Sequence, residues 1–184
     1  MNDKINIGKE AMSVFKSVVL AIIIVTLMRQ FVFTPTTVRG ESMLPSLEDG
    51  NRVILSKMTT INRFDEVVFH ATDSSDSYVK RVIGLPGDTV EMKKDVLYIN
   101  GKAVDEPYLV EFKKDLQERE RLTEDFTLKN LTGKQKVPKG QMFVLGDNRL
   151  YSKDSRIFGF VPMNRIIGEV KLRIWPISDI GFAK

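Results

Sequence analysis

Cysteine is absent from the 184 residues, so disulfides and thiolate metal sites are excluded. Histidine is nearly absent. His70 stands alone, which rules out a histidine-rich metal site and leaves a Ser-His-Asp triad one residue to use. The net charge of +4 is mild, and no basic stripe interleaved with aromatic residues accompanies it, so nucleic acid is not an expected partner. No internal repeat or low-complexity segment interrupts the chain, whose length suits one core domain plus an elaboration.

The strongest compositional feature is an apolar run, Val18–Met28, in which only Thr26 is polar. A bilayer needs about 20 residues of helix. Extending the run to Ala11 and Phe33 reaches that length and takes in Lys16 and Arg29, whose long side chains snorkel towards the two surfaces. Lys4, Lys9 and Lys16 precede the run and favour a cytoplasmic N-terminus. A cleavable signal peptide is the alternative, but no small-x-small cleavage site follows; the next residues, RQFVFTPTTV, are bulky and β-branched. The reading is a single-pass anchor over 1–33, lipid bilayer as a partner, and a domain over 34–184 outside the cytoplasm.

Pro35 is expected to stop the helix. Beyond it the pattern is β: Arg52–Lys57, Glu66–Ala71, Tyr78–Gly84, Thr89–Lys93 and Val96–Ile99 are rich in β-branched residues and separated by turn signals. Asn100-Gly101 joins two of these runs as a hairpin signal. Charge becomes dense from Glu106 to Lys136, with Glu111–Arg121 reading as a short exposed helix and 100–136 as an inserted lobe. Strands return at Gln141–Leu145 and Gly168–Trp175. The expected fold class is mostly β: an N-terminal transmembrane helix, then an antiparallel β-sheet catalytic domain with a small inserted lobe.

Three polar stretches carry chemistry. VRGESMLPSLEDG, Val38–Gly50, sets Ser42 between Gly40 and Pro45, in a turn whose backbone N–H groups are free to serve as an oxyanion hole. A plain turn serine fits the same letters. A serine nucleophile needs a base, which here is His70 or a lysine. Lys80, in YVKRVIG, shares a strand face with Tyr78 and Val82. Held from water, its amine loses proton affinity and becomes a base near neutrality, as in Ser-Lys versions of the serine mechanism. Arg81 has apolar neighbours too, Val79 and Ile83, so alternation does not choose the buried face. His70 shares a face with Val68 and remains the rival base; Ser13 and Lys16 form an S-x-x-K spacing, read as chance at the membrane boundary. In GDNRLYSKDSR, Gly146–Arg156, the acids and arginines Asp147, Arg149, Asp154 and Arg156 suit a charge-assisted network that fixes loop geometry.

In this order, ESMLPSL, YVKRVIGLPGDTVE and GDNRLYSKDSR resemble the nucleophile, lysine and last boxes of the bacterial type I signal peptidases, with an anchor before them. The resemblance implies a membrane-bound serine endopeptidase that removes N-terminal signal peptides from exported preproteins at the outer face of the cytoplasmic membrane, without metal or organic cofactor. Carried over by position, Ser42 is the acylating nucleophile and Lys80 the general base. Ser152 matches the serine that orients the amine, Asp154 and Arg156 the structural pair, and Asp147 belongs to the same box. By analogy Val38, Gly40, Leu47, Tyr78 and Val79 line the substrate pocket. Two departures stand out. Gly40 occupies the place where the Gram-negative form has a side-chain oxyanion donor, so the pattern is closer to the compact Gram-positive enzymes. Leu150-Tyr151 fills a gap that is usually polar. The rival readings are a self-cleaving Ser-Lys regulator and a membrane-tethered β-domain that only binds partners.

Overall fold

No glycine or proline falls between Ala11 and Phe33, so helix propagates through the apolar run unbroken. In the computed structural model, which describes residues 7–114 and 121–183, it forms α1 (Ile7–Phe31). Its segment Glu10–Arg29 has a mean hydropathy of 2.3, is not buried by the other described residues, and is long and apolar enough to cross a membrane. The helix closes four residues before Pro35, which lies inside β1 (Phe33–Thr37). Among the described residues β1 is an edge strand paired only with β2 (Arg52–Ser56), a position that tolerates a missing N–H.

β3 (Glu66–His70), β4 (Ser77–Gly84), β5 (Val90–Lys93), β6 (Val96–Ile99) and β7 (Lys102–Val104) follow the predicted runs closely. Asn100 and Gly101, with φ of +53° and +77°, make the turn between β6 and β7 that the Asn-Gly pair calls for. After α2 (Val110–Lys114) come β8 (Phe126–Thr127), α3 (Leu128–Thr132), β9 (Gln141–Leu145), α4 (Ser155–Phe158), β10 (Val161–Pro162), β11 (Ile166–Trp175) and β12 (Gly181–Phe182). Of the expected helix Glu111–Arg121, residues 115–120 lie outside the described residues.

Two antiparallel sheets result. The larger runs β1-β2-β11-β3-β4-β9-β10, with β12 on β11; the smaller runs β7-β6-β5-β8 and takes in residues from Val90 onward. Ile83, Phe143 and Leu145 of the larger sheet pack with Val90, Met92, Leu97, Ile99 and Phe126 of the smaller one, and this shared core joins the two sheets. The central strands β3, β4 and β9 are covered on both faces over most of their length. Val68 packs with Val53 and Leu55 on one side, while its neighbours Val67 and Phe69 pack with Val82 and Val144 on the other. That double burial matters for β4, where Lys80 and Arg81 are both enclosed.

Candidate active site

The serine loop is closed at its base by backbone pairing: the Val38 N–H donates to the Asn51 carbonyl at 2.8 Å and the Gly50 N–H to the Val38 carbonyl at 3.0 Å. Gly40 turns the chain with φ of +78°, a conformation that costs glycine little, and its N–H donates to Asp49 Oδ1 at 2.7 Å. Met43 and Leu47, on successive turns, plug into the core beside Val38 and Val53. Ser42 sits at the head of that anchored turn.

Lys80 is 3 % exposed, and its Nζ lies 2.7 Å from Ser42 Oγ. It also donates to the Val79 carbonyl at 2.9 Å and stands 5.5 Å from the Tyr78 ring centroid. Burial lowers its pKa to about 8, against the pull of the Asp154 and Asp147 charges, which favour the ammonium. An amine so placed accepts a proton from the serine near neutral pH. His70 is exposed at the end of β3, opposite Ser77, and its ring joins no side-chain hydrogen bond among the described residues.

Gly146–Arg156 leaves β9 and wraps behind the pair. Asp154, fully buried, accepts from the Gly146 N–H at 3.0 Å and takes two bonds of 2.8 Å from Arg156, from Nε and Nη2. Of the four charged side chains read as a network, Asp154 and Arg156 pair within the loop, whereas the side chains of Asp147 and Arg149 do not pair with each other. Their partners come from other elements. Asp147 takes Arg81 of β4 in a two-pronged bond at 2.9 and 2.6 Å, and the Arg149 guanidinium reaches Glu106, just past β7. Ser46 Oγ donates to Asp147 Oδ2 at 2.5 Å, which pins the serine loop to the last box. Asn148 pins it twice more: its N–H donates to the Ser42 carbonyl at 3.1 Å and its Nδ2 to the Glu41 carbonyl at 3.1 Å.

A Cβ at Gly146 would overlap the Ser152 side chain and the Ser42 carbonyl, so only glycine lets these three segments meet. Ser152 Oγ is buried and, among the described residues, has no hydrogen-bond partner, Lys80 included. Arg81 is held further by Glu66 at 2.7 Å, the Phe64 carbonyl at 2.7 Å and the Tyr108 ring, 4.1 Å from the guanidinium carbon. Glu66 has a second oxygen without a partner, and burial raises its pKa to about 7. None of Arg81, Glu66, Ser46, Asn148, Glu106 or Tyr108 is singled out as a site residue by the sequence reading. The basic pair Lys80-Arg81 in an apolar strand was the available signal for Arg81.

Ser42 and Lys80 open onto a cleft of about 490 Å³, walled by Thr36–Arg39 on one side and Ser77–Lys80 on the other. Val38, Tyr78 and Val79 line it. Leu47 does not: it is 2 % exposed and spent on the core, because the turn that presents Ser42 points Leu47 inward. Gly40 is also off the lining, turned out to its Asp49 contact. Among the described residues no three His, Asp or Glu side chains gather to hold a metal ion.

Residues 11–175 match the family model described as signal peptidase, peptidase S26. The chain is 53% identical over 167 residues to signal peptidase I of Bacillus caldolyticus, covering 89% of this chain and 91% of that protein. It is 42% identical over 182 residues to signal peptidase IB of a Staphylococcus aureus strain, covering 95% and 94%. It also resembles the crystal structure of a signal peptidase I from Enterococcus faecalis V583, with TM-score 0.60 and 43% identity over 61% of this chain and 98% of that one.

Proposed function

The chain belongs to the signal peptidase family, peptidase S26, and from that membership we propose that it removes N-terminal signal peptides from exported preproteins with Ser42 as nucleophile and Lys80 as general base. The single observation that carries the mechanism is the 2.7 Å approach of a buried amine, with its pKa near 8, to a serine at the head of an anchored turn.

The substrate lies extended in the cleft. Among the described residues, Tyr78–Lys80 pair with β3 on one side only, since β9 begins its pairing at Arg81, and no strand pairs with the outer edge of β1. A peptide strand fits against these edges with alternate side chains directed at the wall formed by Val38, Tyr78 and Val79. Such shallow apolar surface selects small residues by excluding bulk. Lys80 Nζ accepts the Ser42 hydroxyl proton as Oγ bonds to the scissile carbonyl carbon, and the π pair moves to the carbonyl oxygen. Collapse of that oxyanion expels the amine of the mature protein, which takes the proton back from Lys80, and leaves an ester on Ser42. Lys80 then deprotonates a water that hydrolyses the ester. The Ser42 N–H supplies a donor to the oxyanion, Gly40 having no side chain to do so. Ser152, whose hydroxyl is unspent, is the group that steadies the ammonium when Lys80 carries the proton. Asp147, Asp154 and Arg156 hold the frame.

Residues 1–33 serve as cytoplasmic N-terminus and membrane anchor, and 34–184 as the catalytic domain on the outer face, with a lobe inserted at about 100–136. α1 runs almost directly into β1, and Ser42 follows five residues after β1 ends. The nucleophile is thereby tethered to the surface from which a preprotein's cleavage site emerges, which raises effective concentration. The test is processing of a preprotein with small residues before the scissile bond, together with labelling by a serine-directed acylating probe. Cleavage and labelling that both vanish in Ser42→Ala support the reading. Absence of both in the unaltered chain contradicts it and leaves a binding domain.

A further inference from the structure

We propose that Asn148 is a positioning residue for the oxyanion donor: its side-chain amide orients the Glu41–Ser42 peptide so that the Ser42 N–H faces the developing negative charge. The inference rests on the acyl-transfer reading above and adds a residue to it.

A trans peptide directs its C=O and N–H to opposite sides of one plane. Whatever holds the Glu41 carbonyl therefore aims the Ser42 N–H. Asn148 Nδ2 donates to that carbonyl at 3.1 Å, from a side chain that is 5 % exposed and has little room to turn. The next peptide is fixed by the same residue, since the Asn148 N–H donates to the Ser42 carbonyl at 3.1 Å. Asn148 thus brackets Ser42 on both sides, from a loop that Asp154 and Arg149 tie down at Gly146. Among the described residues no hydrogen bond takes the Ser42 N–H itself, so it is left for an incoming acceptor.

Two further circumstances make the orientation consequential. Gly40 removes the side chain that would share the oxyanion, which leaves more of the charge on this one backbone donor. A donor on the Glu41 carbonyl also polarises its peptide and strengthens the opposite N–H, because chained hydrogen bonds reinforce one another. The Leu44 N–H, at 3.2 Å, is a second and longer partner of the Glu41 carbonyl, so loss of Asn148 loosens the peptide without freeing it.

Asn148→Ala and Asn148→Leu both remove the Nδ2 donor, retain the backbone N–H and add no charge, and Leu keeps the branching at Cγ. Each is assayed in the full-length chain in detergent micelles, with rates expressed per folded molecule, on a signal-peptide reporter and against a peptide boronate that forms a tetrahedral adduct with Ser42. Direct oxyanion donors are worth about 10²–10³ in kcat, and a loosened one less, so the expected loss in both variants is about 10–100-fold in kcat. KM and the pH midpoint are expected to stay at the wild-type values, and boronate affinity to fall by the same factor as kcat. A Leu variant with wild-type kcat, a loss expressed in KM, or unchanged boronate affinity overturns the role. Failure of the parent reading looks different: the unaltered chain would not cleave the reporter, or Ser42→Ala would.

Discussion

Lys80 and Arg81, neighbours on β4, grip the same loop from opposite faces of one strand: Lys80 meets Ser42 at 2.7 Å, and Arg81 meets Ser46 at 3.1 Å. One contact is chemical and the other mechanical. The ammonium is disfavoured by burial and poised to lose its proton, whereas the guanidinium stays charged and is matched by Asp147 and Glu66. The Ser42 loop is thus set against Lys80 by the adjacent residue of the same strand.

The pH dependence follows from the Lys80 amine. Its pKa of about 8 leaves about a tenth of the molecules with the free base at pH 7, and the fraction rises with pH through 8. kcat/KM for peptide cleavage is expected to climb about tenfold per pH unit below 7 and to level above about 8.5, in a buffer series on the full-length enzyme. A rate that does not change between pH 7 and 9 would contradict the role of this amine.

Lys80 also costs stability. A lysine whose folded pKa is depressed binds fewer protons folded than unfolded between about pH 8 and 10.5, so stability rises with pH across that window. Below it the penalty is at its full size, about 3 kcal/mol at most by the size of the shift. Lys80→Met is expected to abolish cleavage and to raise the melting temperature at pH 7. The gain should shrink towards pH 10, as read by thermal unfolding at a series of pH values.

Much of this geometry is legible in the letters, and the exceptions have a common cause. The strand runs, the Asn-Gly hairpin and the apolar N-terminal helix follow from local pattern and agree with α1, β2–β7, β9 and β11. Arg81 is not chosen because alternation presumes one dry face, and β4 is buried on both. The partners of Asp147 and Arg149 come from strands and turns 66 and 43 residues away, beyond what a single loop encodes. Leu47 reads as pocket by position in its motif, but the helical turn from Met43 sends it to the core.

Gly146 offers a test of close packing. Gly146→Ala drives a methyl into Ser152 and the Ser42 carbonyl, and the last box must move away from the serine loop. Displacements of about 1 Å in catalytic sites cost about 10²-fold. A loss of that order in kcat, with the protein still folded by circular dichroism, is expected. Activity within twofold of wild type would show that the two loops are less tightly coupled than the contact implies.

Glu66 offers a test of the buried ion cluster. Its folded pKa, raised to about 7, means that it favours folding fully below its unfolded value of 4.5 and loses that contribution as pH rises through 7. Glu66→Gln keeps an oxygen for the Arg81 bond at 2.7 Å and removes the buried charge. The variant is expected to melt higher than wild type at pH 8 and to lose that advantage at pH 5, by calorimetry.

The most direct measurement compares single-turnover processing of a preprotein by Lys80→Ala and His70→Ala, each confirmed folded. The account predicts that Lys80→Ala forms no acyl-enzyme and releases no mature protein, by a deficit of at least about 10³-fold, while His70→Ala proceeds at the wild-type rate. Full processing by Lys80→Ala, or its loss in His70→Ala alone, would contradict a mechanism built on the buried amine.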